Sequence, residues 1–104
     1  AYAVREGYPV TEMHSMIIPT RHIQAYFDLT TDELLECDQL IRSLTEAISN
    51  SDSSVNGFTI VINAGESAGQ TIFHCHIHLI PRRTGDVDNP RGGVRHIIPG
   101  KGDY

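Results

Sequence analysis

The sequence predicts an α+β fold in which a mostly antiparallel sheet carries one main helix on one face. Three observations lead there. Residues 30–48 hold an apolar stripe at helical spacing. Two β-branched and aromatic segments, 57–63 and 70–81, are joined by a short glycine-bearing loop, as antiparallel neighbours are. A chain of 104 residues has room for a single domain, 1–104, with one sheet-on-helix core.

The elements follow in order. A short apolar start at Ala1 to Val4 runs into a Gly7-Tyr8-Pro9 turn. "HSMIIP" reads as a strand ended by Pro19, because proline has no N–H to give a ladder. Thr30 and Glu33 have capping-box spacing, in which each side chain satisfies a free backbone N–H at a helix start. Leu34, Cys37, Ile41, Leu44 and Ile48 then recur at steps of three and four, so one face of a helix is apolar. The helix fades at Asn50, and "SNSDSS" is a loop. "GFTIVIN" is a strand over 57–63, "AGESAG" a turn, and "QTIFHCHIHLIP" a second strand ended by Pro81. Residues 84–104 are rich in glycine and proline and read as an irregular arm over the surface, with one short apolar piece at His96 to Ile98.

Composition excludes several classes of function. A net charge of −5 argues against a general nucleic-acid coat, whose surface is usually basic. A small anionic substrate is compatible with it if positive or hydrogen-bonding groups gather locally. No apolar run approaches the roughly 18 residues of a membrane-spanning helix, and no signal peptide is visible, so no membrane partner is expected. Cys37 and Cys75 are too few for a disulfide framework, which points to free thiols in a reducing, cytoplasmic compartment. The chain opens at Ala1 without an initiator methionine, as a trimmed chain would.

Three of the six histidines, His74, His76 and His78, stand at every second position of an apolar run. On a strand, alternate side chains share a face, so the three imidazoles would sit together about 7 Å apart, with Cys75, Ile77 and Leu79 on the other side. On a helix the same spacing would scatter them. Three readings compete. The row can be an accidental polar face, although strict alternation among apolar residues is unlike one. It can bind a metal, since imidazole is a common zinc ligand. Or a neutral imidazole can be a nucleophile, its protonation disfavoured by its neighbours. Zinc also needs neutral rings, so the histidines alone leave the last two readings open.

The surrounding residues add a resemblance. "HCHIHLI", residues 74 to 80, fits a His-φ-His-φ-His-φ-φ signature, and "HSMIIPTRH", residues 14 to 22, an upstream His-x-x-x-Ile-Pro-x-x-His segment. "VINAGESAGQ" is similar to an asparagine-containing strand and loop before such a signature. In this order, from about residue 1 to 83, the chain resembles the histidine triad (HIT) family of nucleotide hydrolases and transferases. The resemblance implies that His76 attacks the α-phosphate of a nucleotide conjugate to form a nucleotidyl-histidine, and that His78 contacts phosphate or leaving group as the general acid. It implies that His74 fixes ring orientation together with His14, which His22 can join. Asn63, Gln70 and Thr71 match positions that bind phosphate oxygens, Glu6 one that binds ribose hydroxyls, and Ile18 (or Ile17) the base slot. Turn formation is the competing reading for Asn63, an ordinary strand position for Thr71, and core packing for the isoleucines. Arg82 and Arg83, just past the triad strand, can reach a polyphosphate or stand in solvent.

A homodimer is implied too, with no cofactor and no metal at the catalytic face. The implied substrate is a nucleoside phosphoramidate, dinucleoside polyphosphate or related conjugate. A nucleotidyltransferase or phosphorylase, and a non-catalytic nucleotide-binding module, are the alternatives. The sequence departs from the family at Met13, where many relatives have a small residue, and at Cys75, expected to pack as a small hydrophobe. Relatives commonly carry an earlier strand pair and helix, so part of the nucleotide-pocket wall is expected to be missing or supplied differently, and the 84–104 arm looks like a bacterial version.

Overall fold

The computed structural model describes residues 1–103. Four strands, β1 (Tyr2–Arg5), β2 (Ser15–Ile18), β3 (Val55–Ile62) and β4 (Ile77–Arg83), form one sheet in the order β1-β2-β4-β3, with antiparallel neighbours throughout. One long helix, α1 (Thr31–Ser51), packs on one face, so the α+β expectation holds. Its start is the expected box: Thr30 Oγ1 accepts from Glu33 N–H at 3.2 Å, and Glu33 Oε1 accepts from Thr30 N–H at 2.9 Å. Cys37 and Ile48 of the predicted stripe are buried against Ile17, Ile77, Leu79 and Val55, while Leu40, Ile41 and Leu44 flank them. Cross-strand pairing brings Ile17 opposite Ile77 and Ile60 opposite Leu79, so alternation lays these aliphatic residues on the helix side. Met16, His78 and Val61 are in turn opposite one another on the outer face.

Three boundaries differ from the sequence reading. β3 begins at Val55, ahead of residue 57, because an irregularity between Val55 and Gly57 absorbs one residue. The second strand does not span residues 70–81. Cys75 N–H donates to Ile23 O at 2.8 Å, away from the strands, and β4 begins only at Ile77. Pro81 does not end the strand either: it lies fully buried inside β4, opposite Phe58. β2 reaches β4 only as far as Leu79, leaving beyond it an open flank where a proline is tolerated. The Thr11 hydroxyl donates to the Pro81 carbonyl at 2.7 Å.

The arm is irregular as expected, apart from a 3-10 turn at Gly93–Ile97. Val94 and Ile97 face Thr59, Val61 and Arg82 across a groove of about 550 Å³, which puts the arm over the outer face. The arm closes on itself: a Cβ at Gly102 would run into the His96 ring, so only glycine fits there.

Candidate active site

Five histidines meet where the loop after β1, the loop after β2 and the entrance of β4 converge. The hydrogen bonds fix their tautomers, because a backbone carbonyl only accepts and a backbone N–H only donates. His76 Nδ1 lies 2.8 Å from the His74 carbonyl, so Nδ1 carries a proton and, in the neutral ring, the lone pair is on Nε2. His74 Nε2 donates to Pro19 O at 2.9 Å. Its Nδ1 therefore accepts, and His22 Nδ1 is 3.4 Å away with the rings edge to face.

A second pair stands beside the first. Val10 N–H donates to His14 Nδ1 at 3.2 Å. His14 Nε2 consequently carries its proton and donates to His78 Nδ1 at 2.9 Å. That leaves the His78 proton on Nε2, on the side of the ring away from His14. The His76 and His78 rings are 5.2 Å apart between centroids. His14 thus meets His78 and not His74; His74 has His22 as its partner.

The turn that delivers His14 is strained. Met13 has φ +68°, a left-handed conformation that a side chain normally avoids. Its carbonyl accepts from Arg5 Nη1 at 3.0 Å and from the Ser15 hydroxyl at 2.9 Å, and its side chain packs against the core. Those contacts hold the conformation at the position where the sequence departs from the small residue of many relatives.

Glu6 also faces this pair. Its Oε2 is 3.9 Å from His78 Nδ1, and its Oε1 accepts from Tyr8 N–H at 3.2 Å. Burial pushes the His78 pKa down, and the neighbouring His76 and His14 add to this, while Glu6 pulls it back up. Burial also lowers His14, against Glu6. Both rings are therefore neutral near pH 7. Glu6, His14 and His78 bring donor atoms of metal-binding type within 4.8 Å of one another. The His14 nitrogen turned toward His78 carries a proton, however, since its other nitrogen accepts from Val10. His14 and His78 are thus joined by a hydrogen bond, with the Glu6 carboxylate beside them.

The remaining predicted residues separate. Gln70 is buried, and its amide is committed to backbone: Oε1 accepts from Gly65 N–H at 2.9 Å, and Nε2 donates to Gln24 O at 2.9 Å and Ile72 O at 3.1 Å. Both amide protons are used, so Gln70 clamps the loop and has none left for a phosphate; this corrects its expected role. Asn63 is half-buried beside Gly69, whose φ is +95°. Thr71 is exposed, and Ile18 lies half-buried on the outer face. Cys75 is buried, as expected of a small hydrophobe. Arg82 is paired with Asp86 at 2.7 Å, and Arg83 with Asp52 at 3.0 Å, so both cations already have acidic partners.

The family model described as HIT domain matches residues 1–85. The chain belongs to the HIT family. A bis(5'-adenosyl)-triphosphatase of Dictyostelium discoideum is 38% identical over 92 residues, covering 86% of this chain and 59% of that protein. Among solved structures, a HIT family protein from Bacillus anthracis has a TM-score of 0.75 at 37% identity, covering 81% of this chain and 59% of that one. Plasmodium falciparum diadenosine triphosphate hydrolase, solved with cyclomarin A, has a TM-score of 0.76 at 28% identity, covering 85% and 59%. This HIT chain thus spans about three fifths of the length of each of these relatives.

Proposed function

We propose that this HIT domain, taken as one unit over 1–104, hydrolyses a nucleotide conjugate at its α-phosphate through a covalent nucleotidyl-histidine on His76. The observation that carries the reading is the hydrogen bond from His76 Nδ1 to the His74 carbonyl, which leaves the Nε2 lone pair available to phosphorus. In the first step that lone pair forms a P–N bond as the bond to the leaving group breaks. In the second, water attacks phosphorus and the electron pair returns to Nε2. His78, with its Nε2 proton beside His76, serves the leaving group and then the water. His74 orients the nucleophile through its carbonyl, and its ring is tied to Pro19 and His22. Asn63 and Thr71 remain the candidates for phosphate oxygens, and Ile18 for the base.

The similarity to a triphosphatase and a diadenosine triphosphate hydrolase favours a nucleoside phosphoramidate, dinucleoside polyphosphate or related conjugate as substrate. The reading includes a homodimer: β3 is an edge strand with Ile60 55% exposed, so a backbone edge and an apolar side chain are free for a second copy. The two free thiols favour a cytoplasmic setting.

His76→Ala tests the mechanism. The variant folds, and turnover drops by about a thousandfold or more, since the covalent route is lost. Trapping label from an α-labelled nucleotide and mapping it locates the bond; label on another residue, or near-normal turnover of the variant, refutes the assignment. Product analysis with added phosphate separates a hydrolase from a phosphorylase, and binding without product would mark a regulatory module.

A further inference from the structure

We propose that Glu6 is a positioning residue: its carboxylate accepts a hydrogen bond from the Nδ1–H of His78 when that ring is charged, so that His78 can give its Nε2 proton to a basic leaving group. This rests on the nucleotidyl-histidine reading above. It departs from the ribose contact that family resemblance implies for Glu6.

In the neutral relay, Val10 N–H points at His14 Nδ1 and His14 Nε2–H points at His78 Nδ1. Both acceptor nitrogens face a donor, so neither ring gains a proton without breaking a bond. Yet a ring that releases a proton from Nε2 and ends neutral must begin as an imidazolium, with a second proton on Nδ1. That proton needs an acceptor, and His14 has no lone pair to offer.

Glu6 has. Its Oε2 is 3.9 Å from His78 Nδ1, so a closure of about 1 Å makes a charge-assisted hydrogen bond. Two backbone hydrogen bonds hold it there, Tyr8 N–H to its Oε1 and its own N–H to His14 O at 2.9 Å. Both side chains are 17% exposed, which limits screening. The carboxylate has lone pairs for the displaced His14 Nε2–H as well, since all three donor atoms lie within 4.8 Å. The other neighbours cannot substitute: Met16 and Val61, opposite His78 on the adjoining strands, are uncharged, and the His76 and His14 rings oppose a charge on it.

The step balances. The bond from phosphorus to the leaving atom breaks with its electron pair, which takes the His78 Nε2 proton, while His76 Nε2 forms the P–N bond. His78 is left neutral, with its remaining proton on Nδ1 toward Glu6 and its Nε2 lone pair free. It then accepts the proton of the attacking water and is recharged.

Two probes test this in E6Q: a nucleoside 5'-phosphoramidate of an alkyl amine, whose departing nitrogen needs a proton, and a nucleoside p-nitrophenyl phosphodiester, whose leaving group does not. The kcat for the phosphoramidate falls by about tenfold more than that for the phosphodiester. The high-pH limb of the phosphoramidate profile moves to lower pH. Nitrogen NMR of the His78 ring titrates at lower pH in E6Q than in the unaltered protein. Equal losses on both probes, a rise in KM alone, or an unmoved His78 titration overturns the proposal. The unaltered protein gives an independent reading, because the Glu6 carboxyl carbon shift follows His78 protonation; a shift that ignores it also refutes the contact. Failure of the parent reading appears elsewhere, as absence of label on His76 with the His78 titration still sensitive to Glu6.

Discussion

Gln70 and His76 show how one hydrogen bond assigns a role. The Gln70 amide ties Gly65, Gln24 and Ile72 together from a position 2% exposed to solvent. Gln70→Leu leaves those three backbone groups short of a partner, and urea unfolding should record a loss of about 1–3 kcal/mol. An unchanged midpoint with a raised KM would instead make Gln70 a phosphate ligand. The His76 ring shows the reverse case, in which a carbonyl takes one nitrogen and thereby frees the other for chemistry. Glu6 belongs to the same scale: its effect depends on a 3.9 Å gap that spacing in the chain does not encode.

Among the elements, α1 is anchored by local chemistry. The reciprocal bonds of Thr30 and Glu33 satisfy two free donors of its first turn, and Arg21 braces Glu33 at 2.7 Å. Thr30→Ala removes the side-chain acceptor and costs about 1 kcal/mol, read as a lower denaturant midpoint at unchanged m-value. A midpoint equal to that of the unaltered protein would show that tertiary packing alone holds the helix start. The β4 entrance depends on partners far along the chain. Cys75 bonds to Ile23 and His74 to Pro19, so the first two triad histidines sit on a bent lead-in and only His78 is in the ladder. The rings still gather, because the lead-in keeps His76 within 5.2 Å of His78.

For the molecule as a whole, acid should weaken the fold in two windows. Burial lowers the pKa of His14 and His78 below the usual 6.5, so the unfolded chain binds protons there that the folded chain refuses. Stability present above pH 6.5 is therefore lost as pH falls below it. The second window belongs to carboxylates held down by their partners. Glu33, paired with Arg21, is lowered from 4.5 to about 2, and Asp52, bonded by Ser54 and then Arg83, from 3.8 to about 2. Asp86, paired with Arg82, is likewise lowered from 3.8 to about 2. Their contribution is present above pH 4.5 and disappears as pH drops toward 2. Melting temperature against pH checks both windows. Added salt should shrink the second, whose groups are exposed to screening, more than the first. A flat profile between pH 7 and 5 would contradict the neutral histidine pair.

Whatever rests on neighbours a few residues apart was legible along the chain: the Thr30 cap, the apolar stripe of α1, the turn chemistry, and the placing of His76 and His78 side by side. Family resemblance supplied the chemistry to expect of that histidine row. Which histidine pairs with which, that Gln70 faces backbone, that Pro81 lies inside a strand, and that Glu6 faces His78 emerged with the folded arrangement. Each of those depends on a contact between segments far apart in the chain, and such a contact forms only after the sheet and helix have set the distance between them.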